Sequence, residues 1–134
     1  MTNREILIAS LQKYAGEIVR NSFYWNTLSS HVYISDISKD KVRIDFCFTL
    51  SKDKYLRSFR RIAMGALKRY LKEELTFKKS YIDSVWFGDV RTTTYNSEYK
   101  HEKIDYCDMY IKYIIPKDLY TSLEALARLD ENMI

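Results

Sequence analysis

Between Val42 and Leu50 every second residue is large and apolar: Val42, Ile44, Phe46, Phe48 and Leu50. Side chains alternate faces along a strand, so this run builds a strand with one buried face and one polar face. A sheet of that kind is typically antiparallel and needs helices or a second sheet on its apolar side. Val32 to Ile37 reads as its partner strand, and the polar Ser38-Lys39-Asp40-Lys41 is turn chemistry for a hairpin. The rest of the chain has to cover this hairpin.

Helical periodicity supplies the cover. From Arg4 to Arg20, the residues Leu7, Leu11, Tyr14, Ala15 and Ile18 recur at steps of three and four, and Thr2 and Glu5 have capping-box spacing. Asn21 to Ser30 reads as a connector whose Phe23, Tyr24 and Trp25 pin it to the core. A second helix starts from a cap at Ser51 or Asp53 and runs to Leu75, burying Phe59, Ile62, Ala63, Ala66, Leu67, Tyr70 and Leu71. A third strand covers Tyr81 to Thr93, followed by a polar loop from Thr94 to Lys103. A fourth strand, Ile104 to Ile115, stops at Pro116, and Asp118 caps a last helix to Leu129. The prediction is a single α+β domain over 1–134 in helix-hairpin-helix-hairpin-helix order. Its sheet is four-stranded and mostly antiparallel, with the helices packed on one face.

Two stretches match. Arg43-Ile44-Asp45-Phe46-Cys47 parallels Lys103-Ile104-Asp105-Tyr106-Cys107, and Lys52-Asp53-Lys54-Tyr55 parallels Lys117-Asp118-Leu119-Tyr120. They suggest an internal duplication of a ββα unit, over 31–76 and 80–130, with pseudo-two-fold symmetry. Coincidence is the plain alternative, because strands draw on few residue types. The phases also conflict: Ile44 and Phe46 face inward in the first copy, while Cys107, Met109 and Ile111 are the apolar set in the second.

Composition narrows the function classes. A hydrophobic fraction of 46% with 30% charged residues belongs to a globular chain rather than a disordered one. No run approaches the roughly 18 apolar residues of a membrane span, and Met1-Thr2-Asn3-Arg4-Glu5 enters a helix without a leader pattern. Cys47 and Cys107 both sit in strand-like runs, which fits reduced thiols in a cytoplasmic protein. The net charge of +4 permits an acidic partner without demanding one.

The second helix has the most organised charge. At 100° per residue, Lys54, Arg57, Arg61, Lys68 and Lys72 fall within a sector about 60° wide opposite the apolar stripe. Arg60 and Arg69 flank it, and Gly65 leaves a gap where a phosphate backbone or another helix can approach. In the polar loop, Tyr95 and Tyr99 stand beside Lys100, a set suited to stacking on bases or to contact with protein. The simpler alternatives are a solvated helix face and tyrosines folded back onto the sheet.

Catalytic signatures are thin. Asp89, Glu98 and Lys100 have the residue types of a metal-dependent nuclease, but Glu98 and Lys100 lie in a loop-like stretch. Asp45 with Cys47 and Asp105 with Cys107 form a repeated Asp-x-Cys that lacks zinc-site spacing. Three glycines in the whole chain exclude a phosphate-cradling glycine loop, and two histidines exclude His-rich metal chemistry. No cofactor or metal is therefore expected, and no catalytic residue is named.

The expectation is a non-enzymatic binding module, an adaptor or inhibitor of the kind phages and mobile elements encode. It docks through Lys54, Arg57, Arg61, Gly65, Lys68, Arg69 and Lys72, with Tyr95, Tyr99 and Lys100, on an acidic or nucleic-acid-binding protein. Direct DNA or RNA binding by the same helix is the alternative, with a metal-dependent nuclease behind it. A homo-oligomer follows if the sheet face away from the helices carries Val85, Phe87 or Tyr106.

Overall fold

The computed structural model describes residues 1–21, 26–51, 56–96 and 101–132. Helix α1 (Asn3–Asn21) leads into strands β1 (Asn26–Asp36) and β2 (Lys41–Ser51), then helix α2 (Leu56–Leu75). A short 3-10 turn at Lys79–Tyr81 precedes β3 (Ile82–Phe87), β4 (Arg91–Asn96), β5 (His101–Pro116) and helix α3 (Lys117–Asn132). The chain is α+β, with three helices and a five-stranded antiparallel sheet in the order β1-β2-β5-β3, β4 also pairing with β5.

The fifth strand arises from a break in the expected third one. Phe87 pairs with Met109 and Arg91 with Tyr106, so three residues (Gly88, Asp89, Val90) stand opposite two (Cys107, Asp108). That extra residue is a bulge. The Gly88 amide still donates to the Asp108 carbonyl at 2.8 Å, so β3 and β4 follow one another along the same edge of β5. The polar loop is also shorter than expected, because β4 extends to Asn96 and β5 begins at His101. β1 likewise begins at Asn26, inside the expected connector, whose Phe23, Tyr24 and Trp25 lie outside the described residues.

Alternation along β2 holds over its whole length. Val42, Ile44, Phe46, Phe48 and Leu50 are fully buried and pair with Ile115, Tyr113, Ile111, Met109 and Cys107, which are buried too. Leu7, Leu11, Ala15 and Val19 of α1, Ala63, Leu67 and Leu71 of α2, and Tyr120 and Leu123 of α3 join the same cluster. One sheet face is therefore under helices. The opposite residues, from Arg43 to Thr49 on β2 and Tyr106 to Ile114 on β5, are only half-buried.

The two segments proposed as repeats take opposite phases. Ile44 and Phe46 face the core, whereas in the matching segment it is Cys107 that does, with Tyr106 on the open face. The structure gives the duplication no support.

Local chemistry fixes the helix ends. Thr2 Oγ1 accepts the Glu5 amide at 3.1 Å while the Thr2 amide donates to Glu5 Oε1 at 3.3 Å, completing the capping box. Arg4 then ties three elements: Nη2 donates to Asp36 Oδ1 at 2.9 Å and Nε to the Tyr120 hydroxyl at 2.9 Å. The hydrogen bond from Arg4 holds the Asp36 carboxyl below its ordinary value. Among the described residues no helix is long and apolar enough to cross a membrane.

Candidate functional site

α2 is rolled relative to the stripe its hydropathy implies. Among its described side chains Ala63, Met64, Leu67 and Leu71 are buried and Arg60, Ala66 and Tyr70 half-buried, while Ile62 is 46% exposed. At 100° per residue the covered arc is turned by about 40° from the expected one, toward Arg60 and Met64 and away from Ile62. Arg60 explains the phase. Its Nη1 donates to the Gly88 carbonyl at 2.9 Å and its guanidinium lies over the Phe87 ring, 5.3 Å from the centroid. Arg60 therefore belongs to the fold, not to the charged surface it was expected to flank. Its Nε is the one sealed polar atom without a partner among the described side chains.

The roll redefines the exposed face. Arg61, Ile62, Gly65, Arg69 and Lys72 are exposed, and Lys68 is half-buried at its margin. A Cβ placed on Gly65 would meet nothing within 4 Å, so the space above it is open. None of Arg61, Lys68, Arg69 and Lys72 is in an ion pair with a described residue. The structure thus brings together Arg61, Gly65, Lys68, Arg69 and Lys72 from the expected set and adds Ile62 to them. Arg57 stands in α2 and Tyr95 in β4, but their side chains lie outside the described residues, as do Lys54, Tyr99 and Lys100 altogether.

At the foot of this face is a cavity of about 380 Å³. Lys68, Arg69 and Lys72 of α2 and Lys79 of the 3-10 turn line it, with Phe77, Ile82 and Tyr113. Helix α2 ends at Leu75, where Thr76 takes φ 59°, the left-handed conformation usually given to Gly or Asn. That turn returns the chain so that the Phe77 amide donates to the Leu71 carbonyl at 3.0 Å and the Phe77 ring enters the core. Burial pushes the Tyr113 phenol up to about 12.

The uncovered sheet face carries a second arrangement. His31, Cys47, Tyr110 and Trp86 stand in one row across β1, β2, β5 and β3. The Trp86 and Tyr110 rings are 5.0 Å apart, Trp86 is 54% exposed, and His31 stacks on the exposed Tyr33 at 6.2 Å. A hydrogen bond with the Cys47 thiol, followed by burial, pushes the Tyr110 hydroxyl up to about 12. Burial pushes the Cys47 and Cys107 thiols up as well. Below the row, Arg91 Nη2 pairs with Asp108 Oδ2 at 3.0 Å and lies over the Tyr106 ring at 4.7 Å, while Thr49 donates to Asp108 at 2.7 Å. Val85 and Phe87 are not on this face: they pair with the inward-pointing Ile111 and Met109. Strand alternation around Trp86 was the signal available for this row.

The catalytic and metal alternatives gain nothing from the geometry. Asp89 is exposed in the bulge, and Glu98 and Lys100 lie outside the described residues. Cys47 and Cys107 sit on opposite faces of the sheet, so the two Asp-x-Cys motifs do not converge. Among the described residues no group of His, Cys, Asp or Glu is placed to hold a metal ion. Comparison with protein-family models, with curated proteins and with solved structures finds no match to this chain.

Proposed function

We propose that this chain is a non-catalytic binding module, an adaptor or inhibitor that docks through α2 on an acidic protein surface. The observation that carries this reading is the exposed face of α2, on which Arg61, Gly65, Arg69 and Lys72 lie with Ile62, 46% exposed, at one margin. An exposed apolar side chain bordering a row of cations suits a protein interface, in which the apolar contact is desolvated and the charges select the partner. Gly65 lets a partner backbone come close.

The test is comparative capture with the wild-type chain and with Ile62→Glu and Arg61→Glu/Arg69→Glu variants. A partner held by the wild type and released by both variants supports the reading. Equal retention by all three removes α2 from the account. The two cysteines, on opposite sheet faces, suit a reducing cytoplasm because no bridge joins them.

Nucleic-acid binding is the second reading, and one observation favours it. Three rings, His31, Tyr110 and Trp86, stand in a row with Cys47 across four strands of the open sheet face, a platform on which unpaired bases could stack. Fluorescence anisotropy with labelled single- and double-stranded DNA and RNA separates the two. Submicromolar binding that weakens steeply with salt and is lost in Trp86→Ala favours the sheet platform. No binding at low salt eliminates it.

A further inference from the structure

We propose that the outer edge of β3 takes up an extended, acidic segment of the docking partner as an added strand. This strand addition rests on the docking reading and specifies how the partner is held. The sheet has two edges, and the chain treats them differently. At the β1 edge, α1 packs alongside, Gln12 Oε1 accepts the Val32 amide at 3.1 Å, and the Ser30 hydroxyl donates to the Gln12 carbonyl. Val32 is only 3% exposed there. The β3 edge has no such cover among the described residues. The Gly88 amide donates to the Asp108 carbonyl, which sets the alternation of the ladder. Trp86 and Ser84 therefore bond to β5, while the amides and carbonyls of Val85 and Phe87 point away from the sheet. No hydrogen bond joins those outward groups to another described residue. Val85 is 37% and Trp86 54% exposed, one on each side of the strand. An uncapped edge of this kind is a template for another strand.

Helix α2 runs antiparallel to β3 beside this edge. Arg60 meets Phe87 and Gly88 at one end, and Lys68 and Lys72 share a cavity with Ile82 at the other. At 100° per residue Arg61, Gly65, Lys68 and Lys72 fall within a sector about 60° wide on that flank. Lys79 adds a charge where the strand begins. Arg61, Lys68, Lys72 and Lys79 have no ion-pair partner among the described residues. Of the nearby acids, Glu73 lines the same cavity, while Asp83 lines a different one with Asp40 and Lys41.

The charges decide between occupants. A second copy paired through β3 about a two-fold axis would lie antiparallel, with its helices on the same side of the joined sheet. Each α2 row would then face its own counterpart, and like charges brought together oppose the pairing. An acidic segment meets the row with the opposite sign. Its backbone bonds to Val85 and Phe87, and its side chains turn alternately toward α2 and toward Trp86. Carboxylates on the α2 side reach Arg61, Lys68 and Lys72, and the open space at Gly65 leaves room for them.

Amide NMR of the full chain, titrated with a short peptide of alternating Glu and Val and with its Lys and Val counterpart, tests the proposal. The acidic peptide should shift the Val85 and Phe87 amides, slow their hydrogen exchange, and bind about 10-fold more tightly than the basic one. Val85→Pro deletes an outward amide without touching the β5 ladder, and should weaken binding about 10-fold with the fold kept. Should Val85→Pro not fold, the acidic peptide N-methylated at alternate amides, in either phase, takes its place. Binding undiminished by that methylation overturns the proposal, because a methylated backbone cannot complete the ladder. No shift at Val85 and Phe87 with the acidic peptide at millimolar concentration overturns it too. So does equal binding of the acidic and basic peptides, or unchanged binding by a folded Val85→Pro. A chain that sediments as a dimer only when Val85 is intact gives the edge to a second copy and also overturns it. A captured protein lost in Arg61→Glu/Arg69→Glu but kept by Val85→Pro leaves the docking face standing and removes the added strand alone.

Discussion

Arg60 on α2 holds the backbone of the edge strand at Gly88: Nη1 donates to the Gly88 carbonyl at 2.9 Å, with the guanidinium over Phe87. This contact couples two local irregularities, the roll of α2 and the bulge between β3 and β4. The bulge turns a carbonyl toward the helix side, and the roll brings an arginine to meet it. Truncation to Arg60→Ala removes the bond and the stacking over Phe87, so stability should fall by about 2 kcal/mol. Urea denaturation at constant slope measures this. Docking by Arg60→Ala should be normal once the protein is folded, because Arg60 is not on the exposed face.

Thr76 carries a backbone penalty. A β-branched residue at φ 59° costs roughly 1–2 kcal/mol relative to glycine there. Its hydroxyl recovers part of that by donating to the Leu75 carbonyl at 2.6 Å. Thr76→Gly should raise stability by about 0.5–1 kcal/mol, or a few degrees in Tm. An unchanged or lower Tm would mean that the hydroxyl contact outweighs the strain.

Tyr113 predicts alkaline sensitivity of a definite sign. Its folded value, pushed up to about 12 by burial, exceeds the ordinary value near 10.0. Above pH 10 the unfolded chain loses this proton while the folded chain keeps it, so stability falls as pH rises toward 12. Below pH 10 the group has no effect on the pH dependence. Tyr113→Phe should therefore show a shallower loss over that window, with Tyr110 and the buried Cys107 still contributing. Parallel curves for the two proteins in guanidinium titrations at stepped pH would contradict the assignment.

Gly88 lies against the Trp86 ring. A Cβ there would lie 3.1 Å from a ring carbon of Trp86, closer than ordinary contact. Gly88→Ala should shift the Trp86 ring by a few tenths of an ångström against Tyr110 and move its emission to longer wavelength, read in a Trp25→Phe background. Emission identical to the parent would show that the ring yields without leaving Tyr110.

How much was legible depended on whether packing agreed with hydropathy. The period-two run at Val42–Leu50 was readable because each of its inward residues meets an apolar partner on β5. The face of α2 was only half readable. Hydropathy ranks Ile62 as core and Arg60 as surface, and a long-range bond to a bulge carbonyl reverses both. A lone glycine in a strand-like run, Gly88, was the available sign of that bulge. The loop tyrosine Tyr95 was assigned by local polarity, whereas the threonines of β4 pair into the sheet, Thr92 donating to Asp105 at 2.6 Å. The cavity had no sequence signal, since it forms only where α2, the 3-10 turn and β5 meet.

The central claim is that the rolled face of α2 docks on an acidic protein. The most direct measurement is quantitative affinity capture with the wild type and with Arg61→Glu/Arg69→Glu, each with and without nuclease treatment and each shown to be folded by circular dichroism. The expected result is a captured protein that survives nuclease treatment and is lost in the charge-reversed variant. Capture that is equal for both proteins, or that disappears with nuclease, would contradict it.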